Sequence, residues 1–222
     1  MTLLFALAAL LALPGGALAA GIDDAGYLSV LPGGDSDIHR CYFSVGEEKN
    51  ADGRPWIVMH AEYEATMRAD SREILAILSD YNDAPAIFPR IERIDVLDDQ
   101  GDKALTRQTT VFRVLGMTIA NTMEFQVIYK HVPPSATVQL FSMIKSDGSA
   151  LKNEGSWIVE EVLPASTAQK GPLCRVVYKL ETWSEPRYPL QEFIMRNFGP
   201  ADIAALFKQI AAAIQRTRTQ NF

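Results

Sequence analysis

Between Ile91 and Trp183 the chain carries six apolar-alternating runs in succession, and no connection between them is long enough to hold a crossover helix. The runs cover Ile91 to Leu97, Ala104 to Leu115, Met117 to His131, Ala136 to Ile144, Leu151 to Leu163 and Leu173 to Trp183. Turn signals such as Asp98-Asp99-Gln100-Gly101, Pro133-Pro134 and Asp147-Gly148 separate them. Strands joined this way pair with their neighbours as an antiparallel meander. Upstream lies another strand, in which Ile57, Met59, Ala61, Tyr63, Ala65 and Met67 alternate with Val58, His60, Glu62, Glu64 and Thr66.

Two helical stretches interrupt and close this pattern. Asp70 or Ser71 caps a helix whose Ile74, Leu75, Ile77, Leu78 and Tyr81 share a face, and a short turn follows from Ala84 to Phe88. The last helix has Pro189 in its first turn and a stripe of Leu190, Phe193, Ile194 and Phe198. After Gly199-Pro200, which should break or kink it, the stripe resumes with Ile203, Leu206, Phe207, Ile210 and Ile214. A curved antiparallel sheet with one long amphipathic helix buries its apolar face on that helix, so the fold class is α+β and the two layers enclose a space.

Residues 1–19 read as a secretory signal peptide: an uncharged apolar run from Leu3 to Leu13, then Ala17-Leu18-Ala19 with cleavage after Ala19, the lack of a Lys or Arg before the run leaving an uncleaved anchor or a mis-set start codon as alternatives. Residues 20–52 form an N-terminal extension rich in Gly, Asp and Ser, with one alternating piece from His39 to Val45 suited to an edge strand. Residues 53–222 make one domain. With 48% hydrophobic and 22% charged residues the chain as a whole has a globular composition, and its net charge of −6 argues against a nucleic-acid partner. An exported chain folds where disulfides persist, so Cys41 and Cys174 either pair or sit apart as small buried residues.

The segment Ile74 to Tyr81, containing Ser79-Asp80-Tyr81, followed by Phe88-Pro89 and the strand to Val96-Leu97, resembles the START-like (SRPBCC) superfamily, in particular its polyketide cyclase and coenzyme-Q-binding branches. Gly155-Ser156-Trp157, Val177-Tyr178 and Pro189 match later landmarks of the same family, so the resemblance covers roughly Trp56 to Thr217. It implies a helix-grip fold, with a sheet wrapped around the C-terminal helix and a cavity for a lipid, sterol, quinone or polyketide-like molecule. Its motifs are structural and carry no family-wide catalytic set.

The residues themselves offer little acid–base chemistry. His60 alternates onto the wet face with Glu62 and Glu64, while His39 and His131 lie far apart, so no helical zinc spacing exists. There is no Gly-x-Ser-x-Gly elbow, Glu160 and Glu161 point to opposite faces, and Glu124 reads as an outer salt partner. Arg107 and Arg113 read as exposed, with an arginine at a cavity mouth able to meet a headgroup.

The inward faces are apolar with a few polar groups. Met117, Ile119, Asn121, Met123 and Phe125 share one face, and Asn153 and Trp157 another, unless a one-residue slip turns Lys152 and Glu154 inward. With Tyr63, Phe88, Tyr178 and Phe193 these are the candidate ligand contacts, and Ser142 and Met143 border them. The expectation is a monomeric periplasmic or secreted carrier of a small hydrophobic ligand, needing no cofactor, metal or nucleic acid and docking transiently on a membrane or protein. A cyclase- or dehydratase-like enzyme and a protein-interaction module are the alternatives.

Overall fold

A computed structural model describes residues 36–114, 117–162, 171–187 and 191–220; the expected signal peptide at 1–19 lies outside them. Eight strands form one antiparallel sheet: β1 (Ser36–Lys49), β2 (Pro55–Met67), β3 (Ile91–Asp99), β4 (Lys103–Val114), β5 (Met117–Val132), β6 (Ala136–Ser146), β7 (Ala150–Glu161) and β8 (Cys174–Ser184). Helices α1 (Ser71–Ser79) and α2 (Ala84–Ile87) separate β2 from β3, and α3 (Gln191–Gln220) ends the chain. The order across the sheet is β1-β2-β8-β7-β6-β5-β4-β3. The six runs pair as the meander expected, and β1 and β3 are the free edges of a curved, unclosed helix-grip sheet.

The extension contributes more than a short edge piece. β1 is 14 residues long and pairs with β2 along its whole length, from Ser36 opposite Met67 to Lys49 opposite Pro55. The sheet therefore begins within residues 20–52. Its outer face is held by charge pairs across strands, Arg175 with Glu64 and Glu160, Lys179 with Glu62, and Arg107 with Glu124. His60 lies on this face beside Glu62 and Glu181.

No disulfide links Cys41 and Cys174. Cys41 stands opposite Tyr63 on one side of β2, and Cys174 opposite Met67 on the other. Two strand spacings and four residues of rise separate them by ~16 Å, far beyond the reach of a bridge. The Cys174 thiol donates to the Ala69 carbonyl at 3.2 Å, and burial pushes its pKa up to about 12.

The core is asymmetric. Tyr63, Ala65, Val159 and Val176, from β2, β7 and β8, meet Ile203, Phe207, Ile210 and Ile214 of α3 and Ile74 of α1 in one cluster of buried side chains. Phe207 is central, its ring 6.3 Å from Tyr63 and 5.4 Å from Trp157. A second cluster of Ala104, Met123, Phe125 and Val127 lies on β4 and β5, without α3 residues packed on it.

α3 does not break at Gly199-Pro200. It runs unbroken from Gln191 to Gln220 although Pro200 lacks the N–H that would bond back one turn. The helix is clamped at this point. Tyr63 Oη donates to the Pro200 carbonyl at 3.2 Å, and a Cβ at Gly199 would lie 2.5 Å from the Phe43 ring, so glycine permits the close approach. The first stripe also differs from expectation in part: Ile194 is buried as expected and Gln191 with it, whereas Phe193 and Phe198 are exposed. Gln191 sets this rotation by bonding the Arg187 N–H at 2.9 Å and the Ser184 hydroxyl at 3.2 Å. Pro189 and Leu190 lie outside the described residues.

The helix start at Asp70 is a capping box, with Asp70 accepting from the Arg72 N–H and Glu73 accepting from the Asp70 N–H, each at 2.8 Å. Glu73 also accepts two hydrogen bonds from Arg218, at 2.8 and 2.6 Å, tying α1 to the last turn of α3. The Arg218 hydrogen bond lowers the Glu73 carboxyl below its ordinary value. A carboxylate lowered in the fold adds stability above its unfolded pKa and loses it as pH falls through the folded one. Glu73→Gln keeps the capping box but loses the ion pair, which is partly screened by solvent, and should therefore melt slightly lower than the parent at pH 7, by an amount matching ~0.5 kcal/mol. Thermal melts at pH 3 should show the gap closing.

Candidate functional site

The asymmetric core leaves a cavity of about 720 Å³ between α3 and the sheet from β3 to β8. That volume falls in the range of small-molecule pockets. Its floor is aromatic. Trp157 lies against Tyr178 with centroids 4.4 Å apart, and Phe141 stacks on Tyr178 at 6.2 Å and meets Phe125 edge-on at 6.2 Å. Gly155, facing Phe141 across β6 and β7, makes room for this ring: a Cβ there would lie 2.7 Å from Phe141 Cζ. Ile194, Met195, Ile203 and Leu206 of α3 form the roof, and Ile77, Leu78, Tyr81 and Phe88 close one wall.

Eight of the eleven candidate contacts line this cavity. Ile119, Asn121, Met123 and Phe125 come from β5, Asn153 and Trp157 from β7, Tyr178 from β8, and Phe88 follows α2. Asn153 points in, its Nδ2 lying 3.7 Å from Met123 Sδ, while Lys152 pairs with Glu154 at 2.7 Å and Glu181 at 2.8 Å on the other face. Asn121 packs against Gly148, where any Cβ would collide with its amide.

The other three differ. Tyr63 does not border the cavity, because α3 lies directly on β2 and fills the space above it with Phe207. Phe193 is 54% exposed and faces away, for the helix rotation described above. The side chain of Met117 lies outside the described residues. Ser142 is exposed, and Met143 packs with the β4–β5 cluster without bordering the space.

Several lining groups escape a reading of strand alternation. Tyr81 and Tyr129 place their hydroxyls 3.2 Å apart, and Gln139 donates to Tyr129 at 2.6 Å and to the Leu78 carbonyl at 3.3 Å, so this polar chain is satisfied internally. Burial raises the Tyr81 and Tyr178 phenols well above their ordinary values, and both keep their protons. Arg90, in the turn before β3, pairs with Asp202 of α3 and lies over the Phe112 ring, 4.0 Å from its centroid. Asp202 and Gln209 sit with Ala205 and Leu206 on one helical row, at spacings of three, four and seven. That row flanks the apolar stripe and was the signal for them.

Acid–base chemistry is sparse here. Among the described residues lining the cavity, Asp202 is the only carboxylate and histidine is absent. The arrangement can enclose, desolvate and orient an apolar molecule with few polar contacts.

No family model and no curated protein sequence matches the chain. Solved structures do. Human StAR-related lipid transfer protein 5 superposes with a TM-score of 0.62 at 10% identity, covering 88% of this chain and 89% of its own. A STAR-related lipid transfer protein from Xanthomonas axonopodis gives a TM-score of 0.57 at 12% identity, covering 77% of this chain and 98% of its own. The Zhui aromatase/cyclase from Streptomyces sp. R1128 gives 0.55 at 14% identity, covering 72% and 94%. At such identities the likeness speaks for architecture alone, and with the sheet order and C-terminal helix it assigns the chain a START-like, helix-grip fold.

Proposed function

We propose that this protein is an exported carrier or sensor that shelters one small hydrophobic molecule from water, as a monomer in the periplasm or outside the cell. The observation that carries the reading is the cavity of about 720 Å³, walled by aromatic and aliphatic side chains and poor in titratable groups. A ligand burying ~300 Å² of apolar surface there would gain roughly 7 kcal/mol before the costs of association. Two of the similar folds are named as lipid transfer proteins, which supports a lipid, sterol or quinone-like ligand. Export rests on the apolar run Leu3 to Leu13 and the Ala17-Leu18-Ala19 sequence.

One observation favours a second reading, a cyclase-like catalyst: among the residues that line the cavity is a carboxylate, Asp202, whose buried Oδ2 has no hydrogen-bond partner. A base alone does not complete such a reaction. The nearby phenols keep their protons and serve better as hydrogen-bond donors than as titrating acids.

Native mass spectrometry of protein purified from an envelope fraction, with organic extraction of the same sample, tests the carrier reading. We expect one small apolar molecule per chain. A protein that arrives empty and takes up no lipid, sterol or quinone from a supplied mixture would overturn it.

A further inference from the structure

The wall made by α1 and α2 is anchored in the core at both ends, and the piece between the anchors is not. Ile74 on one side and Ala84, Ile87 and Phe88 on the other are buried in the cluster around Phe207. From residue 78 to residue 83, Ser79, Asp80, Asn82 and Asp83 are exposed, and only Leu78 and Tyr81 line the cavity. The Asp80 carboxylate accepts from the Asn82 and Asp83 N–H groups at 3.2 and 3.1 Å, so residues 80–83 make a turn that supports itself.

Polar tips fasten this piece to the sheet. The Leu78 carbonyl is among the last of α1, which have no partner along the helix, and Gln139 of β6 donates to it at 3.3 Å. The same Gln139 Nε2 donates to Tyr129 Oη at 2.6 Å, and that hydroxyl lies 3.2 Å from Tyr81 Oη. Gln139 is buried at the cavity wall, whereas Tyr129 does not border the cavity.

The two covers of the cavity are therefore held by forces of different kinds. Lifting α3 brings Phe207, Ile210 and Ile214 into water and loses the hydrophobic burial that dominates folding. Lifting residues 78–83 exposes chiefly Leu78 and the Tyr81 ring, which packs on the β4–β5 cluster, and breaks two hydrogen bonds that water replaces. The second opening is the easier one, and it uncovers Phe125 and Val127 of the cavity lining.

We infer that residues 78–83 form a flap, latched by Gln139 and Tyr129, and that the bound molecule enters and leaves beneath this flap instead of beneath α3. This rests on the hydrophobic-ligand reading and adds its route of exchange.

The test uses stopped-flow mixing with the neutral dye N-phenyl-1-naphthylamine, whose fluorescence rises in an apolar site, to read association and dissociation separately. Equilibrium binding to the parent protein comes first. A protein that leaves the dye dark overturns the cavity reading and this one with it, whereas normal binding with the wrong pattern of rates overturns the flap alone.

Tyr129→Phe removes one hydroxyl outside the cavity, which unfastens Tyr81 and leaves the Gln139 amide without its second partner. Association and dissociation should both quicken by about five- to tenfold while Kd stays within about twofold, because a gate speeds passage in both directions. Tyr63→Phe removes the hydroxyl that bonds the Pro200 carbonyl of α3, also outside the cavity, and should leave both rates within about twofold of the parent. Gln139→Met, close in size and without donors, should quicken both rates as well and serves if Tyr129→Phe does not fold. Unchanged rates in a folded latch variant, faster dissociation from Tyr129→Phe with a matching loss of affinity, or equal acceleration by Tyr63→Phe would each overturn the inference.

Discussion

Phe207→Ala should lower the melting temperature by about 10 °C, because it removes the side chain on which both layers close. Phe207 is fully buried, packed between Tyr63 and Trp157. Truncating a buried phenylalanine costs ~3–5 kcal/mol, and each kcal/mol moves the midpoint of a domain this size by ~2–4 °C. Phe198→Ala, on the exposed side of the same helix, is the control and should shift the midpoint by only about 1–2 °C. Circular dichroism melts of the two variants decide the matter. Equal shifts would mean that α3 does not grip the sheet through the face assigned to it.

Ala205→Trp should separate binding from folding. Ala205 lies in the roof between Asp202 and Gln209, and an indole there descends toward the aromatic floor and divides the chamber. Dye affinity should fall by about tenfold or more, since an apolar site loses its contact area when a side chain occupies it. The melting temperature should hold or rise, because the indole itself gains burial worth ~1.5–3 kcal/mol in space that was empty. Loss of both binding and stability would mean that the roof has no room above the floor, and that the cavity volume is illusory.

The sheet was legible in the sequence because alternation is a local property. Asn121, Met123 and Phe125 share a face whatever lies above them, and short turns leave a meander as the simplest pairing. The helix was legible in extent but not in rotation. Phe193 and Phe198 fit an apolar stripe as well as Ile194 does, yet Ile194 is buried beside the polar Gln191, a choice that turns on Gln191 bonding Ser184, a contact across seven residues that no periodicity encodes. Pro200 does not end the helix for a related reason: a helix clamped by Tyr63 and Phe43 tolerates a missing hydrogen bond that a free helix would not.

The cavity was legible as a consequence of curvature, and so were the polar Asn121, Asn153 and Tyr178 on its strands, whereas the polar groups that α3 contributes were not. Asp202 and Gln209 follow an apolar stripe in sequence and look like its solvated flank. Only the distance between α3 and the sheet from β3 to β8 turns that flank toward the cavity. Tyr63 shows the converse, since the same inward alternation on β2 ends in contact with Phe207 instead of in a chamber.

The order of strands across the sheet also bears on how the chain acquires this structure. β1 and β2 find their next neighbour only in β8, more than a hundred residues later, and the cluster around Phe207 draws on Cys41 near one end and Ile214 near the other. Such pairing has a large loop-closure cost before any contact repays it. A nascent chain lacking its last fifty residues can form hairpins from β3 to β7 but has nothing to seal them. Commitment to the native state therefore waits for the final helix, whichever hairpins form before it.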